Sequence, residues 1–558
     1  METNERKALP IGVDSFYDMR SSNFCYVDKT FFIQRLLDTE ARAMLFTRPR
    51  RFGKSIALSM LRSFFDCHDK ERNRRLFDGL AISRSERHMA EQGKYPVIFL
   101  CLKDVKGSTQ ADVEDGFRNA MLDTLEPFEY LLHSDKLSDL KKERLRKVMS
   151  ARASIGDLSH SLRLLCSALY DYHGQPSVIL VDEYDTPLQA AYLNGFYQPV
   201  CDIMRNFFSS AFKGNDNLRL GVITGVMRIA KDSLFSGLNN LRVDTVLSDN
   251  FADCFGFTQA EVEDMAANYA ASDKIDEIRA WYDGYRFGEQ DIYNPWSVLQ
   301  YFGNDCKAQA YWLDTSSNDL TIEFLRHLEK EQRQDVETLY VGGTVEATLD
   351  TSVVYRKLDK CDAKLIFSLL TMTGYLKPVG ELGRNRYLLQ VPNAEITTIF
   401  ADEILDYLEA NHQVTALHRL WDALRCNDEQ AFAAKLKDVL IQSSSYLSNQ
   451  EAYYQGFMMC LLLGLDEQYR VLSEREAGLG RADILLRPRS DKKLPGFVFE
   501  IKRGDAGADL DQLAETALRQ IAEKRYAEEF PPDIREVRCY GLAFCKKDCS
   551  VKMASVMR

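Results

Sequence analysis

AMLFTRPRRFGKSIALSMLRSFFD, residues 43–66, joins an apolar run to an amphipathic run through a short polar turn. The apolar run predicts a buried strand, and Lys54 and Ser55 stand at the start of a predicted helix. A strand, a tight turn and a helix in this order are typical of a phosphate-binding loop, because the free amides at a helix N-terminus favour an anion. Gly53 lets the backbone approach phosphate oxygens, Lys54 can reach the terminal phosphates and Ser55 can ligate Mg²⁺. The stretch therefore predicts a nucleotide-binding α/β domain, although Arg48 occupies the position of the motif's first glycine.

A second stretch, SVILVDEYDTPL at residues 177–188, supplies the acids that such a loop needs. Four apolar residues predict a buried parallel strand, and Asp182 and Glu183 follow at its end. There, Asp182 would hold the Mg²⁺ shell and Glu183 would polarise the attacking water. Asp185 is a third acid at the same strand end and fits either role.

The whole N-terminal half resembles the AAA-ATPase-like family. The resemblance is carried by LPIGVDSFYDMRSSNFCYVDKTFFIQRLL, TRPRRFGKS, LVDEYDTPL, GVITGVMRIAKDSLFSGLNNL and WYDGYRFGEQDIYNPWSVLQYF. In that family Arg-Pro-Arg-Arg-Phe-Gly-Lys-Ser is the usual form of the loop, so Arg48 belongs to the pattern. The resemblance implies bound ATP and Mg²⁺, with cofactor contacts from Arg50, Arg51, Phe52, Gly53, Lys54, Ser55, Asp182, Thr224 and Arg228.

Several of these contacts have two interpretations. Thr224 ends the predicted strand LGVITG and resembles the polar sensor residue that reports the terminal phosphate. Arg228 fits a contact with phosphate or a neighbouring subunit, but equally a surface ion pair. Arg50 and Arg51 fit either direct phosphate binding or simple exposure.

The segments GRADILLRP (480–488) and GFVFEIKRG (496–504) predict a second site. Strand periodicity puts Glu500 and Lys502 on one face, and Asp483 on the preceding predicted strand can meet Glu500 across the pair. Two close carboxylates repel unless a cation lies between them, and Mg²⁺ prefers oxygen ligands, waters and a substrate phosphate. A lysine beside that metal can orient or deprotonate a water. The pattern indicates phosphodiester hydrolysis; the alternative is a solvated strand edge with alternating charges.

SEREAGLGRADILLRP, GFVFEIKRG and the helical LAETALRQIAEKRYAEEF together resemble the PD-(D/E)XK nuclease superfamily. The resemblance implies catalytic roles for Asp483, Glu500 and Lys502. It also implies a metal site in which Glu451, from EAYYQGFMMCLLLGL, supplies the acid of the first helix. Gln520 and Tyr526 resemble the auxiliary Gln and Tyr of related nucleases, but their spacing is longer than usual, and Tyr526 also fits a packing aromatic.

Composition sets limits on these hypotheses. The 558 residues, 45% of them hydrophobic, can form several cores. No apolar run approaches the roughly 20 residues of a membrane span, and the N-terminus lacks the pattern of a secretory signal. We therefore expect a cytoplasmic protein that is not associated with a membrane. The 13 scattered cysteines suit a reducing compartment. A net charge of −12 argues against bulk attraction to DNA, which would need a local basic rim. Candidates for that rim are Arg475, Arg481, Arg487, Arg489, Lys492, Lys493, Lys502 and Arg503.

The predicted fold class is α/β, with a P-loop parallel sheet, a helical lid, a winged-helix-like middle region and a restriction-endonuclease-like domain. The expected bounds are 1–240 for the AAA-ATPase-like domain, 241–330 for the lid, 331–445 for the winged-helix-like and helical linker region, and 446–558 for the nuclease-like domain. The winged-helix expectation rests on a helix, a turn at Gly374 and a hairpin about residues 383–385. We interpret that unit as a spacer rather than a DNA reader.

Two functional hypotheses follow. One is an ATPase and Mg²⁺-dependent deoxyribonuclease whose nucleotide state controls cleavage of DNA. The other is a STAND-like, ATP-dependent switch or interaction protein whose nuclease-like domain mainly binds nucleic acid or a partner. The AAA-like resemblance also makes a homo-oligomer possible. Whether the substrate is DNA or RNA, and what triggers the protein, is open at the level of sequence.

Overall fold

The structure is a computed structural model. It describes residues 7–228, 234, 241–312, 335, 338–339, 342–350, 363–398, 414–442, 451–463, 465, 468–477, 480–489, 491, 493–505 and 507–558. The chain forms two compact units. The first contains residues 1–324 and 346–396, and the second contains residues 325–345 and 397–558.

A five-stranded parallel sheet organises the first unit. Its strands are β1 (Ala43–Thr47), β2 (Val97–Cys101), β3 (Ser177–Asp182), β4 (Leu218–Gly225) and β5 (Leu241–Asp244). The order across the sheet is β2-β3-β4-β1-β5, and every neighbouring pair is parallel. The sheet therefore has β4 between the strand that leads into the predicted loop and the strand that ends in the predicted acids.

Helices cover this sheet because its strands are apolar on both faces. Every residue of β1 and of β3 is buried. The helices that precede or follow the sheet strands are α1 (Phe16–Ser21), α2 (Phe31–Asp38), α3 (Lys54–Phe65), α4 (Lys70–Arg75), α5 (Glu86–Met89), α6 (Gln110–Leu125), α7 (Asp139–Val148), α8 (Ile155–Leu158), α9 (Ser161–His173), α10 (Thr186–Leu193) and α11 (Tyr197–Phe212). Short 3₁₀ turns span Ala81–Arg84 and Glu126–His133.

Beyond the sheet, the first unit continues with α12 (Gln259–Asn268), α13 (Ile275–Tyr282), the hairpin β6 (Tyr285–Phe287) and β7 (Gln290–Ile292), and α14 (Pro295–Gly303). Asn294 caps α14 by accepting from the amide of Trp296. Next come β8 (Val345–Thr348), α15 (Ala363–Thr373) and the antiparallel hairpin of β9 (Lys377–Gly383) and β10 (Arg386–Gln390). Gly374 turns the chain after α15 with φ 91°, a conformation that favours glycine.

The second unit contains α16 (Val414–Arg425), α17 (Glu429–Gln442), α18 (Glu451–Leu463) and a five-stranded mixed sheet with α19 (Leu510–Glu523). The strands are β11 (Tyr469–Ala477), β12 (Gly480–Pro488), β13 (Gly496–Arg503), β14 (Glu536–Cys545) and β15 (Asp548–Met557), in this order across the sheet. Only the β13–β14 pair is parallel. Apolar clusters lie on both faces, so β13 is a central, covered strand.

These features confirm the α/β class with a parallel sheet followed by a separate mixed sheet. Some expectations about the elements differ from what is observed. The segment after residue 240 looks helical in sequence, yet Leu241–Asp244 forms the fifth strand of the parallel sheet. The expected region 331–445 is divided between the two compact units, with residues 346–396 in the first. The helix, the Gly374 turn and the hairpin expected there are all present, and β8 adds a third strand to that small sheet.

Candidate functional sites

The loop between β1 and α3 is shaped by left-handed backbone conformations. Gly53, at the N-cap of α3, has φ 83°, and Arg51 has φ 68°. A left-handed arginine is uncommon and carries a conformational cost. The first turn of α3 then presents its free amides towards the loop, which is the arrangement that attracts an anion.

Arg48 does not stand in the mouth of this loop, because its side chain is fully buried. Its Nη2 donates to Asp244 Oδ1 at 2.6 Å and to the carbonyl of Phe251 at 3.2 Å. Its Nη1 donates to the carbonyl oxygens of Thr47 and Asp244. The guanidinium lies 5.1 Å from each of two ring centroids, those of Phe255 and Phe287. Arg48 therefore joins the loop to β5 and its following segment, which explains how the family pattern tolerates an arginine at a glycine position.

Lys54 is buried, and its ammonium is held by the loop itself. Nζ donates to the carbonyl oxygens of Arg48 at 3.1 Å and Pro49 at 2.8 Å. Burial lowers the pKa of Lys54, whereas the carboxylates of Glu183 and Asp182 raise it. A buried cation surrounded by carbonyl oxygens and acids is poised to take an anionic partner.

Three side chains meet at the carboxyl end of the sheet, as parallel topology requires. Ser55 Oγ donates to Asp182 Oδ2 at 2.6 Å, and Thr224 Oγ1 donates to Asp182 Oδ1 at 2.6 Å. Asp182 and Thr224 are both buried. The hydroxyl and carboxylate oxygens of this cluster are the ligand types that Mg²⁺ takes in nucleotide sites.

Glu183, the next residue, also has a left-handed backbone, with φ 52°. Burial raises the pKa of its carboxyl, and the charge of Lys54 lowers it. Thr186 Oγ1 donates to Glu183 Oε2 at 3.3 Å. Sparsely populated backbone conformations of this kind cluster at functional sites, and here the outlier falls on the acid at the strand end.

Asp185, the third acid, has a structural setting. It is buried, and its Oδ2 accepts from the amides of Val226 at 3.0 Å and Met227 at 2.9 Å. The Tyr184 hydroxyl donates to the carbonyl of Met227 at 2.6 Å. These contacts fix the turn after β4, and Arg228 follows it directly with a half-buried side chain.

Two of the remaining loop side chains, those of Phe52 and Arg51, face the segment that follows the sheet. Phe52 is buried, with ring centroids 4.9 Å from Tyr285 and 5.2 Å from Phe287. The guanidinium of Arg51 lies 4.3 Å from the ring centroid of Trp296. Arg50 Nη2 donates to Gln189 Oε1 at 3.4 Å. Phe52 and Arg51 thus link the loop to the hairpin β6–β7 and to α14, a packing role beside any contact with phosphate.

In the second unit, the strands β12 and β13 pair antiparallel, with Ile484 opposite Phe499 at the end of the ladder. Asp483 and Glu500 are the next residues outward on the two strands. Here the Asp483 carboxylate enters the hydrogen-bonding pattern, because its Oδ2 accepts from the amide of Ile501 at 2.7 Å. The Asp483 Oδ1 accepts from Gln455 Nε2, on α18, at 2.6 Å.

Glu500 is 2% exposed, so the alternative of a solvated strand edge is wrong for this residue. Lys502 Nζ lies 3.2 Å from Glu500 Oε1, and the side-chain amide of Gln520, on α19, donates to the same oxygen. A buried carboxylate is costly unless such partners stabilise it. The structure thus brings Asp483, Glu500 and Lys502 together with two glutamines from two different helices.

The other site residues expected in this unit have mixed outcomes. Glu451 begins α18, but its side chain lies outside the described residues. Tyr526 is 1% exposed and packs in an apolar cluster, which agrees with the packing interpretation. Of the proposed basic rim, Arg487 lies beside Glu529 and Arg503 pairs with Asp505. The side chains of Arg475, Arg481 and Lys492 lie outside the described residues.

The donor set of the second unit fits Mg²⁺, because carboxylate oxygens are its preferred protein ligands. Each carboxylate oxygen has two lone pairs, so an oxygen that accepts one hydrogen bond can still meet a cation. The positive charge of the nearby Lys502 ammonium would complement the negative charge of a phosphate substrate bound to the metal. The oxygens of Ser55 and Asp182 in the first unit fit the same ion.

Sequence reasoning underrated Gln520 and missed Gln455. The long spacing between Gln520 and Tyr526 argues against a catalytic role for Gln520, although its helix packs against β13 and β14. Gln455 follows Glu451 by four residues, a spacing that places two positions on one face of a helix. That spacing was the one signal in the sequence that could have identified it.

Comparisons with known proteins agree with this division of the chain. Residues 10–235 match the AAA-ATPase-like family, described as a predicted AAA-ATPase, and residues 449–554 match the PD-(D/E)XK nuclease superfamily. A relative from Azotobacter chroococcum mcd 1, described as an uncharacterized protein in the vnfD 5' region, is 28% identical over 572 residues, which cover 98% of each chain. Within the described residues, no helix is long and apolar enough to cross a bilayer.

Proposed function

We propose that this chain, which joins an AAA-ATPase-like domain to a PD-(D/E)XK nuclease superfamily domain, is an ATP-dependent DNA nuclease in which the nucleotide state controls cleavage. The observation that carries the proposal is the meeting of Asp483, Glu500 and Lys502 at one end of the β12–β13 pair. A purely structural core has little need for a buried glutamate there, since an apolar residue would cost less.

In the first unit, Lys54 and the amides at the start of α3 would bind the phosphates of ATP. Nζ of Lys54 now rests on two carbonyl oxygens, and these neutral partners compensate a buried charge less well than phosphate oxygens would. Because Arg48 is directed into the core, its side chain leaves the mouth of the loop to the nucleotide. Mg²⁺, when bound, would neutralise charge on the phosphates beside Ser55 and Asp182.

Hydrolysis would depend on Glu183. The backbone at this residue is left-handed, and the raised pKa makes its carboxyl a better proton acceptor than an exposed glutamate. Thr224 is hydrogen-bonded to Asp182, so a change at the terminal phosphate of ATP would be transmitted through Asp182 to Thr224 in β4.

In the second unit, Asp483 and Glu500 would hold Mg²⁺, whose role is to bind and polarise the scissile phosphate. Lys502 would orient the attacking water and stabilise negative charge as it develops. Gln520 and Gln455 would fix the two carboxylates in position, since each donates to one of them. Glu451 remains a proposed third acidic ligand.

Nucleotide control is supported by the contacts of the loop. Arg51 stacks on Trp296 of α14, and Phe52 packs against the β6–β7 hairpin. A phosphate that attracts Arg51 would compete with this stacking, which is worth about 0.5–2 kcal/mol. Binding of nucleotide to the loop would therefore change the contacts that the loop makes with α14 and the β6–β7 hairpin. The same contacts also favour the second candidate, a STAND-like switch without cleavage, which the following experiment separates from the first.

The test uses purified full-length protein with linear, circular and branched DNA in Mg²⁺, each with and without ATP. Lys502→Ala is compared with Lys524→Ala, a matched control because Lys524 is an exposed lysine of the same unit outside the proposed basic rim. Lys54→Met removes the loop ammonium while retaining most of the apolar stem. Glu183→Gln is assayed for phosphate release.

We expect cleavage by the wild type and by Lys524→Ala, at least about 100-fold slower cleavage by Lys502→Ala, and loss of the ATP effect in Lys54→Met. Absence of cleavage on every substrate, with ATP binding intact, would refute the nuclease and leave the switch. Cleavage that ignores both ATP and Lys54→Met would remove nucleotide control. Unchanged phosphate release by Glu183→Gln would contradict the role of that residue.

A further inference from the structure

A cluster of metal-binding side chain types lies apart from both candidate sites, in the first unit. Asp66, Cys67 and His68 follow α3 directly, and one ligand atom from each lies within 4.8 Å of the others. His173, the last residue of α9, joins them from a distant part of the sequence, with its Nδ1 4.0 Å from Cys67 Sγ. The donors are thus a thiol, two imidazoles and a carboxylate.

Two separations within the cluster are close to those around a tetrahedral ion. A Zn²⁺ centre with bonds of about 2.3 Å to sulfur and about 2.0–2.1 Å to nitrogen or oxygen requires separations of roughly 3.6 Å between sulfur and nitrogen and roughly 3.4 Å between nitrogen and oxygen. The Cys67 Sγ to His173 Nδ1 distance is 4.0 Å, and the His68 Nδ1 to Asp66 Oδ1 distance is 3.2 Å. Side-chain rotations would have to bring the His173 ring to the group formed by Asp66, Cys67 and His68.

The surroundings favour a cation and the required form of His173. The cluster lies at the C-terminal ends of two helices, α3 and α9, where the helix dipole is negative. The Tyr130 hydroxyl lies 2.9 Å from His173 Nε2. If Nε2 donates its proton to that oxygen, the lone pair of Nδ1 is directed towards Cys67. Metal-binding histidines usually make such a hydrogen bond through the ring nitrogen that does not bind the metal. The ring centroids of His68 and His173 are 5.4 Å apart.

We propose that Asp66, Cys67, His68 and His173 form a binding site for a divalent transition metal, with Zn²⁺ the best match, which fastens the end of the P-loop helix α3 to the end of α9. Thiolate and imidazole donors select Zn²⁺ over Mg²⁺, so this site is chemically distinct from the two oxygen-rich sites. The competing explanation is an ordinary ion pair between His68 and Asp66 beside a free thiol.

The test titrates chelator-treated full-length protein with Co²⁺, whose thiolate-to-metal charge-transfer absorption reports a bound cysteine. Carboxylate sites such as those of Asp182 or Asp483 do not give this band. Variants are Cys67→Ser, His173→Ala and Tyr130→Phe. Cys426→Ser is the matched control, because Cys426 is an exposed cysteine of the other unit. Circular dichroism checks that each variant is folded.

In wild type and Cys426→Ser we expect a band that saturates at one equivalent of Co²⁺ and disappears when Zn²⁺ is added. Cys67→Ser should lack the band, His173→Ala should bind at least about tenfold more weakly, and Tyr130→Phe should lose about 10–100-fold in affinity. The proposal is overturned if the wild type gives no band, or if Cys67→Ser retains it. Neither result depends on ATP or on DNA cleavage.

Discussion

Replacing Arg48 with glycine restores the usual pattern of a phosphate-binding loop, and we expect it to destabilise the first unit without improving nucleotide binding. Arg48 is fully buried and paired with Asp244, which is 2% exposed. The substitution leaves the Asp244 carboxylate buried beside a cavity. It also removes the donors to the carbonyl oxygens of Asp244 and Phe251, which tie the loop to distant segments.

The expected magnitude follows from the burial of the pair. Removing one partner of a buried ion pair costs about 3–5 kcal/mol, because an uncompensated charge remains. Burial already raises the pKa of Asp244, and the charge of Arg48 lowers it. Without Arg48, the folded-state pKa rises further above the unfolded value. A raised folded pKa favours the folded state at low pH, and that stability is lost as pH rises through the folded pKa. Arg48→Gly should therefore lower the free energy of unfolding more at pH 8 than at pH 5.

Urea unfolding at both pH values, followed by tryptophan fluorescence, measures this effect, since Trp281, Trp296 and Trp312 all lie in the first unit. For the unfolding transition that reports this unit, the free energy of unfolding should fall by about 3–5 kcal/mol. The double variant Arg48→Met/Asp244→Asn, which removes both charges, should recover at least half of the loss. Binding of a fluorescent ATP analogue should weaken or stay the same. If Arg48→Gly unfolds within about 1 kcal/mol of wild type, or binds the analogue more tightly, the structural role of Arg48 is refuted.

Three further predictions concern buried or partly buried side chains. Gln520→Ala should slow DNA cleavage about 10-fold or more by freeing Glu500, with unchanged folding by circular dichroism; equal rates would count against it. Tyr526→Phe should leave the cleavage rate unchanged, since the ring packs in a core, and a large loss would reveal a catalytic hydroxyl. Burial raises the pKa of Glu395 to about 7, although Ser297 donates to it. Wild-type stability should therefore fall by up to about 3 kcal/mol between pH 5 and 8, while Glu395→Gln should lack this fall in urea titrations; parallel profiles would contradict the assignment.

Local signals explain what the sequence predicted well. The strand, turn and helix at residues 43–66 rest on neighbouring residues, and both the class of the fold and the resemblance to the two families are confirmed. Gly53 and Lys54 could be placed because their positions follow from the turn alone. The pattern of Phe497–Lys502 likewise predicted a strand, and the helix and hairpin around Gly374 followed from turn residues.

Partners that are distant in sequence explain what the sequence could not predict. The charge of Arg48 is compensated by Asp244, 196 residues later, so no local pattern announces that it is buried. Gln455 and Gln520 reach the carboxylates only through the packing of α18 and α19 on the sheet. The four-residue strand Leu241–Asp244 is too short for periodicity to separate it from a helical segment.

The strand order has a consequence for the synthesis of the chain. β1 pairs with β4 and β5, which begin at residues 218 and 241. The ribosome must therefore add roughly 170 residues after Thr47 before the first neighbour of β1 exists, which takes roughly 10–35 s at typical elongation rates. During this interval a strand that is fully buried in the folded protein lacks its partners and is open to aggregation. Nascent chains that stop before residue 218 should consequently depend on chaperones. Nucleotide can assist folding only after β1, which leads into the loop, has paired with its neighbouring strands.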